Sequence, residues 1–153
     1  MGRDEPGPGV PLVAEGIIVF IRDFEACTLP KSRWTHQAHL LVGLWYLSNH
    51  APDEALGIVR TRIRAYNEAV GTANTDSSGY HETLTHFFLK GIAAHLDRHR
   101  DASLSDSLAL LLQTPLARSD WPLTYYSPAL LFSALARRQW VAPDLKHDAL
   151  DNN

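Results

Sequence analysis

Residues 35–49 read THQAHLLVGLWYLSN. Leu40, Leu41, Leu44, Trp45 and Leu47 sit at helical spacing but spread over much of a helix circumference, the pattern of a helix buried on most sides. The segment predicts a central helix, with Ser32 or Thr35 as its N-cap. Toward the N-terminus, Val13, Ile17, Phe20, Ile21 and Phe24 predict an amphipathic helix over residues 12–27, ended by Leu29-Pro30, because the residue before proline is pushed out of the helical region. Toward the C-terminus, Pro52 starts a third helix, with Asp53 and Glu54 where the helix dipole favours anions. It should stop near Gly71.

The polar loop GTANTDSSG (71–79) leads into a fourth helix over about 80–99, with Ser77 or Ser78 as cap and Leu84, Phe87, Phe88, Ile92 and Leu96 on its buried side. A short leucine-rich helix follows at 104–113. An irregular but ordered connection spans 114–126. A last helix over 128–140 is capped by Ser127. Strict apolar/polar alternation is nearly absent, so the expected fold is all-α: a compact single-domain bundle of five to six helices over residues 1–153, with loosely ordered ends at about 1–9 and 144–153.

Composition narrows the function classes. The chain has 153 residues, 45% apolar and 20% charged, with a formal net charge of −3. That suits one globular domain with a real core. It lacks the clustered basic face that nucleic-acid binding requires. Arg60, Arg62 and Arg64 alternate, and are expected to fan around their helix instead of forming a stripe. Cys27 is the one cysteine; no intramolecular disulfide can form, and it reads as a small buried hydrophobe. The longest apolar runs are far too short to span a bilayer, and MGRDEPGPGV at the start lacks the apolar stretch of a secretory signal. A cytoplasmic location is expected, with no membrane and no nucleic-acid partner. There is no Gly-rich phosphate loop and no Gly-x-Ser-x-Gly elbow, so nucleotide hydrolysis and serine-hydrolase chemistry have no support.

Two motifs can carry chemistry. In Trp34-Thr35-His36-Gln37-Ala38-His39-Leu40, His36 and His39 are three apart and share a helix face, where two imidazoles can hold one metal ion. The competing structural role has His36 bonded to a backbone group at a helix end and His39 packed in the core. In Gly79-Tyr80-His81-Glu82-Thr83-Leu84-Thr85-His86, a helix opens after a polar loop. Its N-terminus tends to keep a histidine neutral, available as a ligand or base. Here the competing role is local: Glu82 caps the helix, and His81 bonds Thr85 or a loop carbonyl. If the two helices pack side by side and point the same way, the four groups meet at one end of the bundle. Glu25 is a further carboxylate candidate, with a solvated surface acid as the alternative. Arg137 or Arg138 is a candidate clamp for an anionic substrate. Tyr125, Tyr126 and Ser127 are candidate pocket-lining groups. His95 reads as a satisfied buried histidine, His99 as solvated, and His50 as a helix-end residue.

Trp34-x-His36-x-x-His39-Leu40 together with Tyr80-His81-Glu82-Thr83-x-Thr85 resembles a group of small, uncharacterised bacterial all-helical proteins with an aromatic-x-His-x-x-His segment followed by a Tyr-His-Glu-Thr-x-Thr segment. The resemblance covers roughly residues 20–140. It implies that His36, His39, His81 and Glu82 belong to one shared site, and it names no reaction.

The expectation for function is a small metal-dependent enzyme acting on a small polar organic substrate. His36, His39 and His81 would bind a divalent transition metal (zinc, iron or copper), and Glu82 would act as general acid or base or orient a ligand histidine. Two alternatives stand beside it: a metal-free enzyme or ligand-binding bundle that uses the same histidines for hydrogen bonding or acid–base work, and a structural or partner-binding helical domain. Homo-oligomerisation is left open, since the apolar second helix and the four tryptophans suit an interface as well as a core.

Overall fold

The computed structural model describes residues 9–146. Seven α-helices lie within them: α1 (Ala14–Glu25), α2 (His36–Asn49), α3 (Pro52–Ala69), α4 (Glu82–Arg98), α5 (Leu104–Leu111), α6 (Pro128–Leu131) and α7 (Ala134–Arg138). Five are two turns or longer, and no strand occurs among the described residues. The fold is all-α.

Local chemistry sets most of the boundaries. Thr35, not Ser32, caps α2: its hydroxyl accepts the Ala38 N–H at 3.2 Å, satisfying one of the free donors of the first turn. Pro52 begins α3, and Gly71 follows its end in the left-handed region at φ 84°. The segment expected to be one last helix divides. Ser133 is extended, with ψ 156°, and its hydroxyl accepts the Ala136 N–H at 3.1 Å, so it caps a new helix in mid-run. The cap of α4 also differs from expectation. His81, and neither Ser77 nor Ser78, accepts the Leu84 N–H, and the helix starts at Glu82.

Residues 114–126 are irregular and ordered, as expected. They form two 3₁₀ turns, Pro115–Ala117 and Trp121–Thr124, which bury Leu116 and Trp121. Of the ends expected to be loose, residue 9 and residues 144–146 are described; the rest lies outside the described residues. Asp144 accepts both the N–H and the O–H of Ser127, at 2.7 and 2.6 Å, and Leu145 N–H donates to Tyr125 O at 2.9 Å. Within the described residues, these bonds tie Asp144 and Leu145 to the start of α6.

Helix α2 is central. It buries Ala38, Leu40, Leu41, Val42, Gly43, Leu44 and Tyr46, with no single buried face, and it packs against α3, α4 and α5. Full burial of each large apolar side chain contributes about 1.5–3 kcal/mol. At Gly43 the backbone of α2 comes so close to α4 that a Cβ would lie 2.8 Å from Ile92 Cδ1. His36, at the start of α2, meets Phe88 edge-on at 4.9 Å. His36 thus meets Phe88 and Gly43, two turns later, meets Ile92, so the two helices point the same way. Among the described residues, no helix is long and apolar enough to cross a membrane.

Candidate functional site

A cavity of about 300 Å³ opens between the start of α2, the middle of α3 and the first turns of α4. Its apolar walls are Val59 and Ile63 from α3 and Leu84, Phe88, Leu89 and Ile92 from α4. Gly43 lines it too, which leaves room where any side chain would intrude. Polar groups are few: Thr35, Thr85, Ser119 and the two histidines of the first motif, His36 and His39. A largely apolar hollow with a few polar groups is the usual make-up of a small-molecule site.

An aromatic stack sets the histidines in place. Trp34 lies 4.9 Å from Phe24 and 5.0 Å from Tyr66, and the His39 ring packs on Trp34 at 3.9 Å between centroids. His39 donates Nδ1–H to the Thr35 carbonyl at 2.8 Å. His36 donates Nε2–H to the Leu116 carbonyl, also at 2.8 Å. A neutral imidazole carries one N–H, so each bond fixes a tautomer and leaves the other nitrogen with its lone pair. The two tautomers are opposite: the lone pair is on Nε2 of His39 and on Nδ1 of His36.

Protein atoms crowd around His39, although the residue keeps an exposed surface. Desolvation pulls its pKa down to about 4; the bond to Thr35 opposes this and the neighbouring His36 adds to it. The ring surface is open to solvent through the cavity, and that access works against the shift. Both effects leave the imidazole neutral at pH 7.

His36 thus makes the backbone bond that a helix-end role requires and lines the cavity as well. His39 is not packed in the core; its ring is exposed to the cavity. His81 is buried, and both its ring nitrogens are engaged: Nε2–H donates to Leu131 O at 2.7 Å and Nδ1 accepts Leu84 N–H at 3.1 Å. The structure does not bring His81 to His36 and His39. Although α2 and α4 run the same way, the start of α2 lies beside Phe88, seven residues into α4 from His81, which is about 10 Å along the axis at 1.5 Å per residue. Among the described residues, no group of three or more His, Cys, Asp or Glu side chains is placed to hold a metal ion.

Glu82 lines a different cavity, of about 430 Å³, bounded by α3, the 72–80 loop, the start of α4 and α7. Arg60 donates to both its carboxylate oxygens and Tyr80 to one of them. Burial alone would raise the Glu82 pKa, but the bonds from Arg60 and Tyr80 and the Arg60 charge outweigh it and hold the carboxyl below its ordinary value. Burial pushes Tyr80 up, reinforced by its bond to Glu82. Glu82 is thus an ionised, fully engaged carboxylate.

Several of the remaining candidates are engaged within the fold. Glu25 accepts a hydrogen bond from Tyr46 and is half-buried. Tyr126 donates to Val141 O at 2.6 Å, and Ser127 caps α6. His95 is buried and donates to Ser107 O at 2.9 Å, as expected of a satisfied core histidine. His99 is half-buried with its ring 4.5 Å from that of His95. His50 ends α2 and meets Glu54 at 2.9 Å. Sequence reasoning missed Arg60 and Arg64. They are four apart and share a helix face, a spacing that was visible, but Arg62 between them gave the impression of a fan.

Comparisons with protein-family models, with curated proteins and with solved structures gave no match.

Proposed function

We propose that this chain binds a small, flat, largely apolar molecule bearing a hydrogen-bond donor, in the cavity between α2, α3 and α4. One observation carries the proposal: two histidines, each donating one ring N–H to a backbone carbonyl, line a hollow that is otherwise mostly apolar and aromatic. A lone pair in such surroundings strongly favours a ligand O–H or N–H, because a donor left unpaired there loses its water without compensation. His39 is the principal acceptor. With its pKa held low, it accepts a hydrogen bond without taking the proton.

The same nitrogens give a second reading, in which a divalent transition metal (zinc, iron or copper) is held by His36 and His39 with its other positions open to substrate. His81 would join such a site only by releasing Leu131 and Leu84.

Amide NMR titration with phenol, benzene and Zn²⁺ tests both readings. Phenol is expected to shift the amides of Val59, Ile63 and Phe88 and to bind about tenfold more tightly than benzene, the value of one good hydrogen bond. His39→Leu should erase that preference. Saturable zinc binding lost in both His36→Ala and His39→Ala would favour the metal reading. Unmoved cavity amides with all three probes would overturn both.

A further inference from the structure

The second cavity has a charge imbalance that the histidine site does not explain. Four guanidiniums line it, Arg60, Arg64, Arg137 and Arg138, against two carboxylates, Glu82 and Asp76. Arg60 is neutralised by Glu82 at 2.7 Å. Arg138 lies 3.5 Å from Asp76, with both side chains more than half exposed. The other two arginines have no carboxylate partner among the described residues. Arg64 stands over the Tyr80 ring, 6.0 Å from its centroid. Arg137 donates from Nη1 to the carbonyls of Gly79 and Tyr80, at 2.8 and 3.4 Å. Those bonds fix the guanidinium in place, yet among the described residues they leave its charge uncancelled and its Nε–Nη2 edge uncommitted.

We infer that this cavity is a binding site for a small dianionic oxyanion, a phosphate monoester or a dicarboxylate, held between Arg64 and Arg137. Two positive charges in excess match a dianion. The planar fork of arginine presents parallel N–H donors that fit two oxygens of a phosphate or carboxylate. Preorganisation supports the assignment: Arg137 is already anchored by backbone carbonyls, and Asn74 pins the loop that forms one wall, accepting Tyr80 N–H at 2.9 Å and donating to Arg64 O at 3.1 Å. A side chain fixed before binding loses less entropy on capture. The cavity's volume of about 430 Å³ admits a small organic body attached to the anion. The inference uses no residue of the His36–His39 cavity, so either proposal can fail without the other.

The test is calorimetry and amide NMR on the full chain at constant ionic strength and about pH 7.5, where phosphate is mostly dianionic. Inorganic phosphate, succinate, acetate and chloride are the probes. Phosphate or succinate should bind saturably and shift amides of 74–82 and 137–138, while acetate and chloride should not. Which of the two binds more tightly identifies the ligand type. Arg64→Gln should weaken binding about tenfold, and Arg64→Lys should restore only part of it, because an ammonium lacks the fork. Arg64 is exposed, so these variants test the site even if Arg137→Gln fails to fold. Four equal, non-saturating responses, or binding untouched by Arg64→Gln, would overturn the inference.

Discussion

Arg60 reaches across the seam between α3 and α4 and engages both oxygens of Glu82, Nε at 2.9 Å from Oε1 and Nη2 at 2.7 Å from Oε2. Tyr80 adds a third bond at 2.8 Å. The residue that motif logic favoured for proton transfer therefore fastens the first turn of α4 to α3. A carboxylate with this many donors is stabilised in its charged form and carries no proton at neutral pH.

Breaking that tie from one side should be costly. The Glu82 side chain is only 12% exposed, so Arg60→Met leaves a poorly hydrated charge with Tyr80 as its remaining donor. We expect a loss of about 2–3 kcal/mol in urea unfolding, with Glu82→Gln milder at about 1 kcal/mol. The pH dependence has a definite sign. The folded pKa of Glu82 is depressed, so its stabilisation is present above the unfolded carboxyl value of about 4.3 and is lost as pH falls through the folded value. Glu82→Gln should accordingly flatten the acid limb below about pH 4.3. An unchanged acid limb would mean that the pair is not formed in solution.

Burial also lowers the pKa of His39, His81, His86 and His95. For a histidine the sign is set by which state binds the proton. The unfolded chain protonates near pH 6.5 while the folded one resists, so stability is full above about 6.5 and declines as pH falls toward the folded values. The urea midpoint should drop between pH 7 and 5. His81 should be the costliest of the four to replace, since it caps α4 and also bonds Leu131. His81→Ala is expected to lose about 2–3 kcal/mol, and His81→Asn, which keeps a capping oxygen, less. Nitrogen shifts of the His81 ring should report an Nε2–H tautomer from pH 7 down to the unfolding limb. A charged ring at pH 6 would contradict the bonding.

Two helices end alike with different residues. After α3, Gly71 takes φ 84°, Gly71 N–H donates to Glu68 O and Thr72 N–H to Asn67 O. After α1, Cys27 takes φ 61° with the same pair of bonds, to Phe24 O and from Thr28 to Asp23 O. A side chain in this left-handed position costs about 1–2 kcal/mol, which glycine avoids. Cys27 packs against the core with only a small thiol, so Cys27→Gly should raise stability by about 0.5–1 kcal/mol, read as a higher melting temperature. A fall in stability would show that the thiol contributes more by packing than the backbone conformation costs.

The fold was legible where local chemistry decides it. Leu40 to Leu47 marked α2 as central, and Pro52, Gly71 and Leu29-Pro30 bounded their helices because fixed φ and free left-handed geometry are properties of single residues. The breaks that failed are those where two candidates compete: Ser77 and Ser78 look like caps, yet His81 supplies the acceptor, and Ser133 interrupts a run that periodicity alone would continue. For the candidate site, the three-residue spacing of His36 and His39 carried through to a common cavity. The axial offset that parts His81 from them is a property of packing between α2 and α4, set partly by the contact at Gly43, and no local pattern encodes it. The Arg60–Glu82 tie joins residues 22 apart and was equally invisible.

Gly43 offers the most direct test of the histidine cavity. Alanine there gains about 1 kcal/mol of helix propensity. Its Cβ, however, would lie 2.8 Å from Ile92 Cδ1 and 3.0 Å from Leu89 Cδ2. Both contacts are the mobile ends of side chains that line the cavity, so they can move aside into the empty volume. The two effects offset, and Gly43→Ala should change unfolding free energy by less than about 1 kcal/mol. The space they move into is the space a ligand would use. Phenol binding should therefore weaken by about tenfold or more, each displaced methyl group removing contacts that hold the ring. A stable Gly43→Ala protein that binds phenol as well as the wild type would place the ligand elsewhere than between α2 and α4.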